Sequence, residues 1–164
     1  MQTFYWIVEG ALAGCSLPGG PGDGSRSEWE AREALGRDLD WLSSHGIRAL
    51  LSLTETPLPP AALADAGLAG THLPVDDLHP PAPHDLMAAL AFIDQHRAAG
   101  RAVAVHCLVG EGRTGTVLAA YLIRGGETHE DAIQMLRALR PGAIGTIEQE
   151  HALRAFAQRR DWML

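Results

Sequence analysis

Cys107 and Arg113 stand at the two ends of a glycine-punctuated run, His106-Cys107-Leu108-Val109-Gly110-Glu111-Gly112-Arg113-Thr114-Gly115, between the apolar stretch at 102–105 and a second apolar segment. A loop of this composition, leading into a helix, turns successive backbone N–H groups inward, and the helix terminus beneath adds positive partial charge. Such a nest holds a tetrahedral dianion. A cysteine at its floor has its thiolate stabilised and becomes a nucleophile rather than an inert thiol. An arginine at the far end can grip two phosphoryl oxygens with its planar fork, which a lysine cannot. The expected chemistry is nucleophilic attack of sulfur on a bound phosphoryl group.

Other readings of the same run explain fewer residues. A cysteine closing an apolar strand is usually a small buried hydrophobe, which leaves Arg113 and the glycines without a purpose. The run also spells Gly110-x-Gly112-x-x-Gly115, the spacing of a dinucleotide-binding turn. That turn belongs between two strands, with an acid closing the second about 20 residues on. Glu130 and Asp131 fall near that distance, but they open a helix-period segment containing Ile133, Leu136 and Leu139. A nucleoside triphosphate loop is excluded because no Gly-Lys-Ser/Thr follows.

The loop must be carried by a folded scaffold, and 164 residues predict a single domain, 1–164. With 46% hydrophobic and 20% charged residues, the composition is that of an ordinary globular chain rather than a disordered one. Net charge is −7 without a Lys/Arg-rich run, so nucleic acid and anionic membranes are not expected partners. No apolar stretch approaches the roughly 20 residues that span a bilayer, and the first residues lack the basic region of a signal peptide. Two cysteines make no disulfide framework, which predicts a cytoplasmic location. The eight histidines show no metal-ligand spacing, so neither a metal nor another cofactor is expected. Nothing in the chain specifies an oligomeric state.

Periodicity and turn residues divide the chain into alternating elements. Residues 4–8 and 10–13 read as short strands around a turn, and 18–25 as a Gly/Pro-rich loop. Ser27-x-x-Glu30 is a capping-box pattern opening a helix in which Leu35, Leu39 and Leu42 recur until Gly46. A strand is expected at 47–53, a short helix at 61–66, and a strand at 71–75. The acidic, proline-bounded loop Asp76-Asp77-Leu78-His79-Pro80-Pro81 follows. Leu86, Leu90 and Ile93 mark a helix ended by Gly100. The strand at 102–105 feeds the Cys107 loop, and a helix runs from Arg113 to about Arg124. Thr128-x-x-Asp131 and Thr146-x-x-Gln149 open two last helices. Alternation of this kind predicts an α/β layer with a mostly parallel central sheet. Cys107 would lie at the carboxyl end of a central strand, where such sheets place ligands.

With these residues in view, the chain resembles the cysteine-dependent protein tyrosine phosphatase superfamily, and within it the small atypical, VHZ-like dual-specificity phosphatases. The resemblance is carried by Gly10-Ala11-Leu12-Ala13-Gly14, Leu51-Ser52-Leu53-Thr54-Glu55, Asp77-Leu78-His79-Pro80-Pro81-Ala82-Pro83, the Cys107 loop, and Leu139-Arg140-Pro141-Gly142-Ala143-Ile144. It implies a phosphotyrosine-phosphatase-like fold, a mostly parallel sheet flanked by helices. It also implies a substrate that is a phosphorylated protein or a small phosphomonoester. Two departures stand out: the segment 18–26 is long for so compact a family, and a glutamate occupies position 111.

In this reading Cys107 attacks phosphorus and Arg113 holds equatorial oxygens together with the N–H groups of Leu108, Val109, Gly110, Glu111 and Gly112. Thr114 donates to the sulfur as it departs, or serves as a helix-cap hydroxyl. A carboxylic acid must protonate the leaving oxygen. The adjacent pair Asp76 and Asp77 offers two candidates, and resemblance to the family's Asp-x-x-Pro-Pro pattern selects Asp77. Gln149, Glu148 or Glu150 would orient water, although Gln149 fits a capping box equally. His106 is expected to be buried and to orient backbone rather than act as a base. Cys15 reads as a packed thiol, and Trp6, Trp29, Trp41 and Trp162 as core or rim packing. Glu111 is expected at the pocket rim, repelling additional phosphates or pairing with an arginine. The rival functions are a phosphoinositide or RNA 5′-phosphatase using the same loop, a non-catalytic phosphopeptide-binding module and, more remotely, sulfur transfer.

Overall fold

A computed structural model describes residues 1–22 and 24–159. Five strands, β1 (Phe4–Val8), β2 (Leu12–Cys15), β3 (Ile47–Ser52), β4 (Ala69–His72) and β5 (Ala102–His106), form one sheet in the order β1-β2-β5-β3-β4. Only β1 runs antiparallel to its neighbour; the other pairings are parallel. The expected α/β architecture is therefore present, with β5 at the centre of the sheet.

Strand β5 alternates cleanly. Val103, Val105 and Cys107 face a core built with helices α3 (Pro83–Ala98), α4 (Gly112–Arg124), α5 (His129–Leu139) and α6 (Ile147–Gln158). Ala102 and Ala104 face the opposite core, where Leu39 and Leu42 of α1 (Glu28–Ser44) pack with Ala13 and Cys15. A short helix, α2 (Pro60–Asp65), closes that side. A strand covered on both faces must be apolar throughout, and β5 is buried at every position.

Local signals set the helix ends. Ser27 and Thr146 each complete a capping box, with Glu30 and Gln149 as the reciprocating residues, and Thr128 caps α5 through the Asp131 N–H. Strand β2 begins two residues later than expected, because Gly10 takes a left-handed φ of 67° in the turn. The strand expected at 71–75 lies at Ala69–His72 instead. Leu73 and Val75 still donate to the carbonyls of Ser52 and Leu53, but Pro74 has no N–H and ends the regular ladder. Trp6 and Trp41 meet Phe4 edge-on, each at 5.1 Å between centroids. Trp29, expected in a packed position, is exposed, because it sits in the first turn of α1 outside the stripe marked by Leu39 and Leu42. Trp162 lies outside the described residues.

Candidate active site

Beyond β5 the chain turns through the Cys107 loop into α4, and each backbone carbonyl from residue 106 to residue 112 is tied down by a partner. His106 O accepts from Leu53 N at 3.0 Å, and Leu108 O from Leu17 N at 3.0 Å. Cys107 O accepts from His106 Nδ1 at 3.0 Å, Val109 O from the Arg140 guanidinium at 3.2 Å, and Gly110 O from the Tyr5 hydroxyl at 2.8 Å. Glu111 O takes the N–H of Gly115 and of Ile144, and Gly112 O the Thr116 hydroxyl. Among the described residues, no N–H of residues 108–113 finds a protein acceptor. A trans peptide points its N–H opposite to its C=O, so a ring of anchored carbonyls leaves the amides turned into the nest. Gly110 adopts φ +76°, which a side chain would resist, and an added Cβ would lie 2.8 Å from Cys15 O.

A cavity of about 200 Å³ opens over this nest, lined by Cys107, Arg113, Asp77, Glu111, Gln149 and neighbouring loop residues. Leu108, Val109 and Gly112 also line it; Gly110 does not, since its carbonyl points away toward Tyr5. Arg113 is 2% exposed. One terminal nitrogen donates to Glu55 and to the Val75 carbonyl, both at 2.9 Å, and the other lies 3.0 Å from an Asp77 oxygen. Its Nε is buried without a partner. An unpaired buried donor costs about 1–3 kcal/mol, a penalty that a bound oxyanion would remove.

Glu55 is a residue that sequence reasoning quoted but gave no role. It accepts from Arg113 and from the Asp77 N–H. A bond from its own backbone and the Arg113 guanidinium hold its carboxyl below the usual range. Only the fold brings it there, since Glu55, which follows β3, and Arg113 of α4 are 58 residues apart in the chain.

Both acidic candidates are exposed, but Asp77 lines the cavity and Asp76 does not. Leu78, next in sequence, carries a left-handed φ of 65°. Thr146 donates its hydroxyl to Leu78 O at 3.1 Å, so the N-terminus of α6 anchors the acidic loop. Gln149 is buried, and both of its amide ends are engaged: Oε1 accepts from Thr146 N, and Nε2 donates to His79 O at 3.4 Å. The capping-box alternative is thus realised, on a side chain that also lines the cavity. Glu148 is exposed, and Glu150 pairs with Arg137 at 2.6 Å.

Thr114 lies in the first turn of α4, but the cap position belongs to Glu111, which caps with no side-chain bond. The helix-cap alternative for Thr114 therefore fails; its hydroxyl is buried and makes no hydrogen bond. His106 donates from Nδ1 to a carbonyl, so its neutral ring accepts at Nε2 from the Ser52 hydroxyl at 2.7 Å. Burial is the main cause that pushes its pKa down to about 4, and the Arg113 charge adds to it. The ring is neutral and structural. Cys15 is fully buried, with its thiol pushed up chiefly by burial, and it packs on the opposite face of the sheet from Cys107. Side chains that diverge in this way do not meet disulfide geometry.

Glu111 does reach the rim, where it pairs with Arg140 at 2.7 Å and lies against Gly142. Its charge is therefore balanced, and Arg140 is occupied. Among the described residues of 18–26, none lines the Cys107 cavity; Pro18, Gly19, Gly20, Gly22, Gly24 and Arg26 wall another of about 480 Å³ that shares Leu108.

Comparison with known proteins converges on one family. The profile described as Tc-R-P, a polymorphic toxin system DSP-PTPase phosphatase, matches residues 24–127. Human protein tyrosine phosphatase type IVA 3 is 33% identical over 110 residues, which make up 66% of this chain and 64% of that protein. The chain thus aligns with less than two thirds of that relative's length. Tk-PTP, solved in its active form, superposes with a TM-score of 0.78 at 27% identity, over 93% of this chain and 95% of that one. PTPMT1, solved in complex with PI(5)P, gives a TM-score of 0.73 at 21% identity over 93% and 94%, a likeness of fold.

Proposed function

This chain belongs to the DSP-PTPase phosphatase family, and from that membership we propose that it hydrolyses phosphotyrosine monoesters, and phosphoserine or phosphothreonine with them, through a phosphocysteine intermediate. The observation that carries the proposal is the nest itself: outward-anchored carbonyls, unengaged amides at 108–113 and an orphaned Arg113 Nε around one cysteine.

In the first step the Cys107 thiolate attacks phosphorus in line; an S–P bond forms as the P–O bond to the leaving group breaks. The loop amides and Arg113 stabilise the equatorial oxygens, the largest contribution expected in a loose phosphoryl-transfer transition state. Arg113 presents Nε and one terminal nitrogen to the phosphate while Glu55 keeps the other in place. Asp77 releases Arg113 as the phosphate arrives, takes up a proton from solvent, and as the carboxylic acid gives that proton to the leaving oxygen. In the second step water attacks phosphorus and loses a proton to the Asp77 carboxylate left by the first step, the S–P bond breaks, and the Thr114 hydroxyl and the nest receive the returning thiolate. Gln149, which lines the cavity, is assigned to orient that water. No step requires a metal or other cofactor. The whole chain acts as one catalytic domain in the cytoplasm, consistent with its two unpaired cysteines.

A singly phosphorylated target is favoured because Arg140, the cation paired with Glu111 of the rim, is already engaged. A polyphosphorylated headgroup would find little free positive charge, which sets this site apart from the phosphoinositide alternative suggested by the ligand of PTPMT1. The test is a panel of phosphopeptides, phosphoinositides and RNA 5′ ends, assayed in EDTA. Hydrolysis confined to phosphopeptides supports the proposal. Preference for an inositol phosphate or a triphosphate end would replace it, and tight binding without turnover would make the chain a recognition module.

A further inference from the structure

The phosphate nest depends on a residue from the opposite end of the chain. Tyr5 lies on the edge strand β1, 105 residues before Gly110, and its buried hydroxyl donates to the Gly110 carbonyl at 2.8 Å. Its ring crosses β2 at Gly14, the position with no side chain: a Cβ there would lie 2.4 Å from the ring and 2.5 Å from its oxygen. β2 is thus notched where the phenol passes through to the loop.

The bond falls on the peptide that most needs it. Gly110 holds φ +76°, and glycine resists rotation of its flanking peptides less than any other residue. If the 110–111 peptide turned over, its carbonyl would face the bound anion and the Glu111 N–H would be lost to the nest. Of the flanking peptides, the next is held through Glu111 O by the N–H of Gly115 and of Ile144, but the preceding one has a shared restraint: Arg140 divides its guanidinium between Val109 O and the Glu111 carboxylate. Burial, reinforced by the nearby Cys107 and Cys15, raises the Tyr5 pKa, so the phenol remains a donor.

We propose that Tyr5 is a positioning residue for phosphoryl transfer: its hydroxyl locks the Gly110–Glu111 peptide with the Glu111 N–H facing the phosphate. The proposal rests on the phosphatase reading of the site, and its test separates the two. Tyr5→Phe keeps the ring in the Gly14 notch and removes only the donor. The affinity of wild type and variant for tungstate, a tetrahedral oxyanion, is measured by calorimetry, whose stoichiometry corrects for unfolded material. Turnover of a phosphotyrosine peptide is followed in parallel.

The expected result is a tungstate Kd raised at least about fivefold and kcat/KM lowered about tenfold, as befits loss of one buried restraint. Gly14→Ala, which pushes the ring aside, should change the tungstate Kd in the same direction. Tyr5→Phe with a tungstate Kd within about twofold of wild type would overturn the proposal, whether or not stability or kcat/KM falls. A wild-type protein unable to bind tungstate would overturn it too. Wild type that binds tungstate, weakens with Tyr5→Phe, and hydrolyses no phosphomonoester would leave the lock standing and refute the enzymatic reading instead.

Discussion

Asp77 and Glu111 illustrate how much a single side chain's partner decides. Asp77 rests on Arg113 at 3.0 Å, the group proposed to receive the phosphate, so the two roles proposed for Asp77 follow one another in time. Asp77→Asn should slow turnover most for substrates with poor leaving groups and far less for an activated aryl phosphate. A leaving-group series on Asp77→Asn and Asp76→Asn distinguishes the candidates; the pattern appearing in Asp76→Asn would reassign the acid. Glu111 shields Arg140, so Glu111→Lys both adds a cation and frees a second. The ratio of kcat/KM for a soluble inositol polyphosphate to that for a phosphotyrosine peptide should then rise at low salt. It should rise less at high salt, where exposed charges are screened. An unchanged ratio would mean that the rim does not select substrates.

At the scale of elements, α6 acts through its first turn. Thr146 caps the helix and holds Leu78 of the acidic loop with the same hydroxyl, and Leu78 is kept in a left-handed conformation that costs about 1 kcal/mol or more. Thr146→Ala should therefore cost about 1 kcal/mol of stability and also lower turnover, while Thr146→Ser should restore both. Denaturant unfolding and steady-state kinetics on the pair check this; a stability loss with unaltered kcat would make the cap purely structural. The elements themselves were largely legible. Capping boxes, Gly/Pro punctuation and leucine spacing locate the helices because those signals act within a few residues. Strand β4 was misplaced because Ala69 and Gly70 have little strand preference; pairing with β3, a long-range choice, selects them. The Cys107 loop could be read for the opposite reason, since nucleophile, glycines and arginine are contiguous. Glu55, Tyr5 and Arg140 carried no such local pattern. They converge on the loop from three distant elements, and only the folded sheet shows what they hold.

The molecule as a whole keeps a neutral histidine under its Cys107 loop, and this ties stability to pH. With a folded pKa near 4 and an ordinary value near 6.5, His106 binds its proton more readily in the unfolded chain. Stability from this group is complete above about pH 6.5 and falls as pH drops toward 4, by up to about 3 kcal/mol. Burial lowers the His96 pKa as well, in the same direction. Unfolding free energies measured from pH 7 to pH 4 should show the loss in wild type and a shallower slope in His106→Asn; equal slopes would contradict the assignment. All of this scaffolding serves one claim, that Cys107 becomes covalently phosphorylated during turnover. The direct measurement is rapid quenching of the protein in EDTA with a phosphotyrosine peptide bearing labelled phosphate, followed by mapping of the label. The account predicts label on Cys107, formed and lost at rates compatible with kcat, and none on Cys107→Ser, which should still bind the peptide. Label on another residue, or undiminished turnover by Cys107→Ser, would contradict it.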